Sequence, residues 1–208
     1  MRIVLTRPPG RGEAWRRRLV DAGHEVVCAP LTEIRDADPF PDPVGFDGVL
    51  FTSVAAVERA PGGRDWPRVG AVGNTTAAAL RERGIGVDVV GAGGGRELAA
   101  AWGNAMGQRL LLPQARDAHP DLELALTRMG AEVDCVPVYE TFPAAEIDRA
   151  ALEAAEVVAF FAPSAVRAYK ELGLSTRPRY WGLGATTRTV MDTVGLPHEP
   201  LASLDALL

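Results

Sequence analysis

The chain is written twice. Gly23-His24-Glu25-Val26-Val27-Cys28-Ala29-Pro30-Leu31-Thr32-Glu33 aligns with Gly130-Ala131-Glu132-Val133-Asp134-Cys135-Val136-Pro137-Val138-Tyr139-Glu140, 107 positions downstream. Phe51-Thr52-Ser53-Val54-Ala55-Ala56-Val57 aligns with Phe160-Phe161-Ala162-Pro163-Ser164-Ala165-Val166 at an offset of 109. Ala71-Val72-Gly73-Asn74-Thr75-Thr76 then aligns with Gly182-Leu183-Gly184-Ala185-Thr186-Thr187 at 111. A slowly growing offset is what a duplication with small loop insertions leaves, and three blocks in one order argue against chance. The 208 residues therefore hold two similar units of about 100 residues each.

Each unit alternates short apolar runs with amphipathic stretches. The expected strands are 2–6, 25–29, 47–52, 69–72 and 87–90, then 109–113, 132–136, 156–161, 179–183 and a weak one at 196–200. The segments between read as helices: Trp15, Leu19 and Ala22 share a face before Gly23, and Leu122, Leu126 and Met129 share one before Gly130, glycine being a usual helix stop. Continuous apolar strands separated by helices predict an α/β unit whose parallel sheet is covered on both faces.

The passage between domains need not fall at the repeat junction. Pro30-Leu31-Thr32-Glu33-Ile34 and Pro137-Val138-Tyr139-Glu140-Thr141 occupy equal repeat positions, start with proline and precede proline-containing polar stretches at 38–45 and 143–149. If the chain crosses at both, near 30–36 and 137–143, residues 1–33 join 142–208 in a discontinuous domain and 36–137 form a continuous one. Such a double linker predicts a hinge with a cleft between the domains.

Composition narrows the function. At 47% hydrophobic and 24% charged residues the chain is neither disordered nor fibrous. No apolar run reaches the roughly 18 to 20 residues of a membrane span, and Met1 leads into Arg2-Ile3-Val4-Leu5-Thr6 without a signal-peptide core. A soluble cytoplasmic protein, a monomer with no membrane partner, is expected. Net charge is −5, and Lys170 is the only lysine among 22 basic residues, a balance that predicts no nucleic-acid footprint. A few arginines at a cleft can still set a local field for a small anionic substrate. Cys28 and Cys135 each sit in an expected strand and read as small core thiols. His24, His119 and His198 lack metal-ligand spacing, so no metal is expected.

In parallel α/β sheets ligands bind beyond the carboxyl ends of strands, where helix N-termini offer unpaired N–H groups. Four segments directly follow apolar runs: Thr6-Arg7-Pro8, Thr52-Ser53, Gly73-Asn74-Thr75-Thr76 and Gly184-Ala185-Thr186-Thr187. Glycine permits close approach, and Ser or Thr supplies a cap or a hydroxyl for a ligand. Ordinary helix capping is the plainer alternative for any one of them, less so for the Gly-x-Thr-Thr pair that both repeats carry. Gly91-Ala92-Gly93-Gly94-Gly95 follows the last strand of its unit and lacks the acidic residue about 20 positions on that a dinucleotide site needs. Neither a phosphate-binding Gly-Lys-Ser/Thr loop nor a Gly-x-Ser-x-Gly elbow occurs. Tyr139, whose repeat partner is Thr32, lies in the second crossover. There its phenol either donates a proton into the cleft or packs between the linker strands.

In order and spacing these residues resemble the uroporphyrinogen-III synthase family. The resemblance runs through Leu5-Thr6-Arg7-Pro8, Pro30-Leu31-Thr32-Glu33-Ile34, Asp47-Gly48-Val49-Leu50-Phe51-Thr52-Ser53, Ala71-Val72-Gly73-Asn74-Thr75-Thr76, Pro137-Val138-Tyr139-Glu140-Thr141 and Gly184-Ala185-Thr186-Thr187. It implies two flavodoxin-like domains joined by a two-stranded linker and an enzyme without metal or organic cofactor. Its substrate would be the linear tetrapyrrole hydroxymethylbilane, closed to uroporphyrinogen III with inversion of ring D. The implied route is loss of the ring A hydroxyl to an azafulvenium, attack by the substituted carbon of ring D to a spiro-pyrrolenine, then fragmentation and reclosure. Unaided, the bilane closes to the uninverted isomer, so holding it in the other fold is chiefly an orientation problem.

Carried over residue by residue, the resemblance makes Tyr139 the general acid and Thr52, Ser53, Thr76 and Thr187 substrate contacts. Asn74, Thr75, Ser164 and Thr186 join them as binding candidates, and Arg7, with Arg96, Arg116 and Lys170 behind it, would pair substrate carboxylates. The chain departs from the family pattern at Phe161-Ala162, where hydroxyls are usual, and in a shortened stretch at 58–68. Two rivals remain at this point: a non-catalytic two-domain ligand-binding or sensor module, and a nucleotide-dependent oxidoreductase.

Overall fold

Ile3, Val4 and Leu5, and likewise Val157, Val158, Ala159 and Phe160, have no exposed surface, as strands apolar at every position require. The coordinates are a computed structural model and describe residues 1–7, 12–63 and 65–201. In chain order the elements are β1 (Arg2–Leu5), α1 (Glu13–Asp21), β2 (Glu25–Cys28), β3 (Thr32–Asp36), β4 (Gly48–Phe51), α2 (Val54–Arg59), β5 (Arg68–Ala71), α3 (Asn74–Glu82) and β6 (Val89–Val90). There follow α4 (Gly95–Trp102), β7 (Arg109–Ala115), α5 (Asp121–Arg128), β8 (Glu132–Pro143), α6 (Arg149–Glu153), β9 (Val157–Phe160), α7 (Pro163–Glu171), β10 (Arg179–Leu183), α8 (Ala185–Thr193) and β11 (Glu199–Leu201). Gly23 and Gly130, at φ 84° and 87°, take the left-handed step that ends α1 and α5.

The chain divides into two units, Met1–Glu33 with Thr141–Leu208, and Ile34–Glu140. The first holds a parallel sheet in the order β11-β10-β9-β1-β2. Alternate residues of its strands enter different clusters: Val4, Val158 and Phe160 pack with Leu152, Tyr169 and Tyr180, whereas Ile3, Leu5 and Ala159 pack with Leu19 and Trp181. That is the period-two signature of a sheet buried on both faces. The last seven residues, 202–208, lie outside the described part.

The second unit has the order β3-β8-β7-β4-β5-β6, parallel from β8 through β6. Val49, Phe51 and Leu111 pack on one side, and Leu50, Leu110 and Leu112 pack with Trp102 on the other. The Trp102 indole lies against Gly48 and Gly70, where the missing side chains make room for it.

The crossover segments are themselves strands. β8 continues through Pro137–Thr141 to Pro143, well past the expected end at 136, and β3 forms where only extended chain was expected. The Ala37 and Asp38 amides donate to the Val138 and Pro137 carbonyls at 3.2 and 2.9 Å, and the Ala144 amide donates to the Leu31 carbonyl at 3.0 Å. Each segment finds its partner in the other, which no local periodicity reports.

Candidate active site

The strand order reverses between β1 and β9 in the first unit and between β7 and β4 in the second, and ligands of parallel sheets collect past the carboxyl ends at such points. At the end of β4, Ser53 takes an extended backbone and caps α2, its Oγ accepting the Ala56 amide at 3.1 Å. The Tyr139 hydroxyl, on β8, donates to the same Oγ at 3.0 Å. The Tyr139 ring packs in the core beside Phe51 and Val57 and is 9% exposed. The ring is buried in the core of this unit and the hydroxyl oxygen sits at a helix start.

Arg59 completes this corner. Its guanidinium carbon lies 5.4 Å from the Tyr139 ring centroid, Nη1 donates to the Ala55 carbonyl at 2.9 Å, and Nη2 pairs with Asp36 at 2.7 Å. Sequence reading passed over Arg59. It closes α2 only six residues after Ser53, and nothing local marks it as turned toward β8. α2 ends there, and the described residues of the short 58–68 stretch beyond Arg59 are not helical; Arg64 lies outside the described residues.

At the end of β5 a pocket of about 340 Å³ is lined by Val72, Gly73, Asn74, Thr75 and Thr76 together with Gly91, Ala92 and Gly93. The Gly91–Gly95 run, unpromising as a nucleotide loop, thus belongs beside the Gly-x-Thr-Thr turn. Gly73 and Gly93 are neighbours, and a Cβ on Gly73 would make ordinary van der Waals contact with the Gly93 Cα at 3.6 Å. α3 and α4 both begin at this loop pair without a side-chain cap; the first turn of α3 has no acidic residue and leaves its amides for an anion, whereas Glu97 in the first turn of α4 lies back against Gly94. The signal available in the sequence was positional: Gly91 follows a strand and precedes a helix, as Gly73 does. Asn74 and Thr75 are exposed and Thr76 is buried.

In the first unit the repeat keeps its backbone and changes its chemistry. Ala162 caps α7 at φ −150°, ψ 147°, nearly the Ser53 values of −153° and 151°, but makes no side-chain hydrogen bond. Ser164, in the first turn of α7, is half-buried. Thr187 is as buried as Thr76, at 3% and 4% exposure, whereas Thr186 is exposed. The Thr6 hydroxyl donates to the Ala159 carbonyl at 2.9 Å, tying β1 to β9, and α1 starts only at Glu13. Pro8 of that motif lies outside the described residues. The Arg7 guanidinium lies 4.8 Å over the Phe161 ring, which Trp15 meets edge-on at 5.4 Å.

The other candidate cations are distributed unevenly. Arg116, just past β7, donates its amide to the Tyr139 carbonyl at 3.0 Å and pairs with Glu140 and Asp38 at 3.0 and 3.4 Å. Arg96 pairs with Asp121 at 3.3 Å, and Lys170 is exposed in the last turn of α7. Burial pushes the Cys28 thiol up and the Cys135 thiol up to about 12, so neither is poised as a nucleophile. Among the described residues no group of three His, Cys, Asp or Glu could hold a metal ion, and no helix is long and apolar enough to cross a membrane.

The family model for uroporphyrinogen-III synthase HemD matches residues 13–203. The chain belongs to the uroporphyrinogen-III synthase family. Among solved structures it resembles a mutant uroporphyrinogen III synthase from the extremely thermophilic bacterium Thermus thermophilus, at 21% identity and a TM-score of 0.65, covering 100% of this chain and 95% of that one. It also resembles uroporphyrinogen-III synthetase from Helicobacter pylori, at 19% identity and a TM-score of 0.69, covering 99% and 96%. At such identities the likeness establishes the α/β fold with parallel sheets. No curated protein matches the chain. Within this synthase family, then, Ser53 and the two Gly-x-Thr-Thr turns follow strand ends of an established fold, and Tyr139, within β8, reaches Ser53.

Proposed function

We propose that this chain closes hydroxymethylbilane to uroporphyrinogen III with inversion of ring D, the family match across residues 13–203 being the observation that carries the reading. Its architecture is read as two flavodoxin-like domains joined by a two-stranded linker, β3 with β8. Support comes from the strand orders: β2-β1-β9-β10-β11 is the order 2-1-3-4-5 in chain sequence, the flavodoxin pattern. In the other unit β8-β7-β4-β5-β6 repeats that order with the repeat-equivalent strands, entered at its third strand.

The substrate is a polycarboxylate, so the uncapped start of α3 and the turn at Gly184–Thr187 suit its side chains. Tyr139 is assigned the proton that the ring A hydroxyl needs in order to leave as water when the carbon–oxygen bond breaks. The azafulvenium so formed is attacked by the substituted carbon of ring D to give a spiro-pyrrolenine; the bond from that carbon to the ring C methylene then breaks, leaving an azafulvenium on ring C. The free α-carbon of ring D attacks it, and the proton lost from that carbon as the pyrrole regains aromaticity restores the phenol. Ser53, hydrogen-bonded to that phenol, holds it between turnovers.

A coupled assay that generates hydroxymethylbilane and separates the type I and type III products tests the reading. Type III product in excess of the uncatalysed type I isomer is expected. Tight binding of the bilane with only type I product would instead mark a non-catalytic binding module.

A further inference from the structure

We propose that Arg59 is a positioning residue for this reaction, acting through Tyr139 rather than on the substrate; the inference rests on the general-acid reading of the phenol. Arg59 is a mostly buried cation with an exposed partner, its side chain 18% exposed against 85% for Asp36. Its Nε is buried without a hydrogen-bond partner among the described residues, and the guanidinium is held under the Tyr139 ring by the Ala55 carbonyl. Ser53 fixes the phenol oxygen from another side. The ring is thereby clamped at both its polar and its aromatic ends.

The chemistry favours a role in turnover. A cation over an aromatic face is attracted by the ring's negative face, more strongly where water is excluded. As the phenol gives up its proton, negative charge grows on the oxygen and spreads into the ring. The attraction to Arg59 therefore grows from ground state to transition state, and only interactions that strengthen in this way raise the rate of the chemical step. A purely structural Arg59, tying the end of α2 to β3 through Asp36, would lack this dependence on the phenol.

The test uses Arg59→Met and Arg59→Lys, each alone and combined with Tyr139→Phe, with kcat and KM measured separately in the coupled assay. Arg59→Gln stands in for Arg59→Met should circular dichroism show the latter unfolded. Arg59→Met is expected to lower kcat by about 5- to 30-fold with KM changed less than about 2-fold. Arg59→Lys, which keeps the charge, is expected to recover at least half of that loss on a logarithmic scale. In the Tyr139→Phe background the same Arg59→Met change is expected to cost less than about 3-fold, the coupling that a double-mutant cycle reads. A raised KM with unchanged kcat would make Arg59 a carboxylate contact and overturn the proposal. So would an equal kcat loss with and without the phenol in a slow Tyr139→Phe enzyme, which leaves the general-acid reading standing. Full activity of Tyr139→Phe alone would remove the phenol from the chemistry and this role of Arg59 with it.

Discussion

The Tyr139 hydroxyl and the Ala56 amide share one acceptor, Ser53 Oγ, at 3.0 and 3.1 Å. A serine oxygen has two acceptor positions and one proton to give, so the cap and the phenol together use both lone pairs. The remaining Ser53 proton is a donor. Helix start and phenol therefore form one unit, and a change at either is felt by both.

Tyr139→Phe should slow turnover without abolishing it, because general acid catalysis contributes about 10²- to 10⁴-fold and the leaving hydroxyl is already activated by its pyrrole. The phenyl ring keeps its place among Phe51 and Val57, so the fold should survive, with a small drop in thermal midpoint from the lost hydrogen bond to Ser53, worth about 0.5 to 1.5 kcal/mol. The residual product should remain type III, since binding geometry decides which carbon of ring D attacks. Product separation by chromatography checks this; mostly type I product would assign the phenol to steering the bilane.

Ser53→Ala should cost about 1 kcal/mol of stability through loss of the cap and should also lower kcat by releasing the phenol. The reverse change is available in the other unit. Ala162→Ser places a hydroxyl on a backbone that already has the capping geometry and should stabilise by about 0.5 to 1 kcal/mol. Urea midpoints of the two variants should move in opposite directions.

Arg7→Ala should raise the apparent substrate constant by about 10- to 150-fold, the range for one charge-assisted contact, with a smaller effect on kcat. Phe161→Ala removes the ring under the guanidinium and should raise the constant less, because the charge survives but its placement loosens. Steady-state kinetics in the coupled assay separate the two. An unchanged constant in Arg7→Ala would take Arg7 out of the site.

Gly48→Ala should destabilise by about 1 to 3 kcal/mol, the usual cost of overpacking, because the new Cβ runs into the Trp102 indole and lies 3.1 Å from the Arg68 carbonyl oxygen. Gly48 opens β4 and Ser53 follows its other end. The folded fraction should therefore keep its kcat, which a melt paired with kinetics below the transition will show.

Cys135, pushed up to about 12 by burial, is protonated at every pH well below that value. At pH 8 its thiolate is roughly one part in 10⁴, and Cys28 is shifted in the same direction. A thiol-disulfide reagent at pH 8 should react slowly with the native protein and with both cysteines once urea unfolds it. Rapid reaction of the native protein would show that these strands open.

Much of the strand pattern could be read directly, because a strand buried on both faces must be apolar throughout, and Ile3–Leu5 and Val157–Phe160 carry that requirement in their own composition. The helix stops at Gly23 and Gly130 were equally local, since few residues other than glycine take the backbone step they make. The repeat also showed a difference in chemistry, Ala162 standing where the first repeat has Ser53, and in the structure α7 starts without a side-chain cap. The family resemblance placed Tyr139, Ser53 and the Gly-x-Thr-Thr turns as candidates, one by one.

What joins those candidates lies in contacts far apart in the chain. Tyr139 and Ser53 are 86 positions apart, and Thr6 and Ala159 are 153 apart. Arg59 under the phenol and Gly91–Gly93 beside Gly73 are of the same kind. Periodicity reports whether a residue faces a core, and a cap reports its own turn. Which strand ends stand side by side follows from sheet order, β8-β7-β4-β5-β6, and that order is set by how whole layers bury one another, so only the tertiary structure could bring these side chains together.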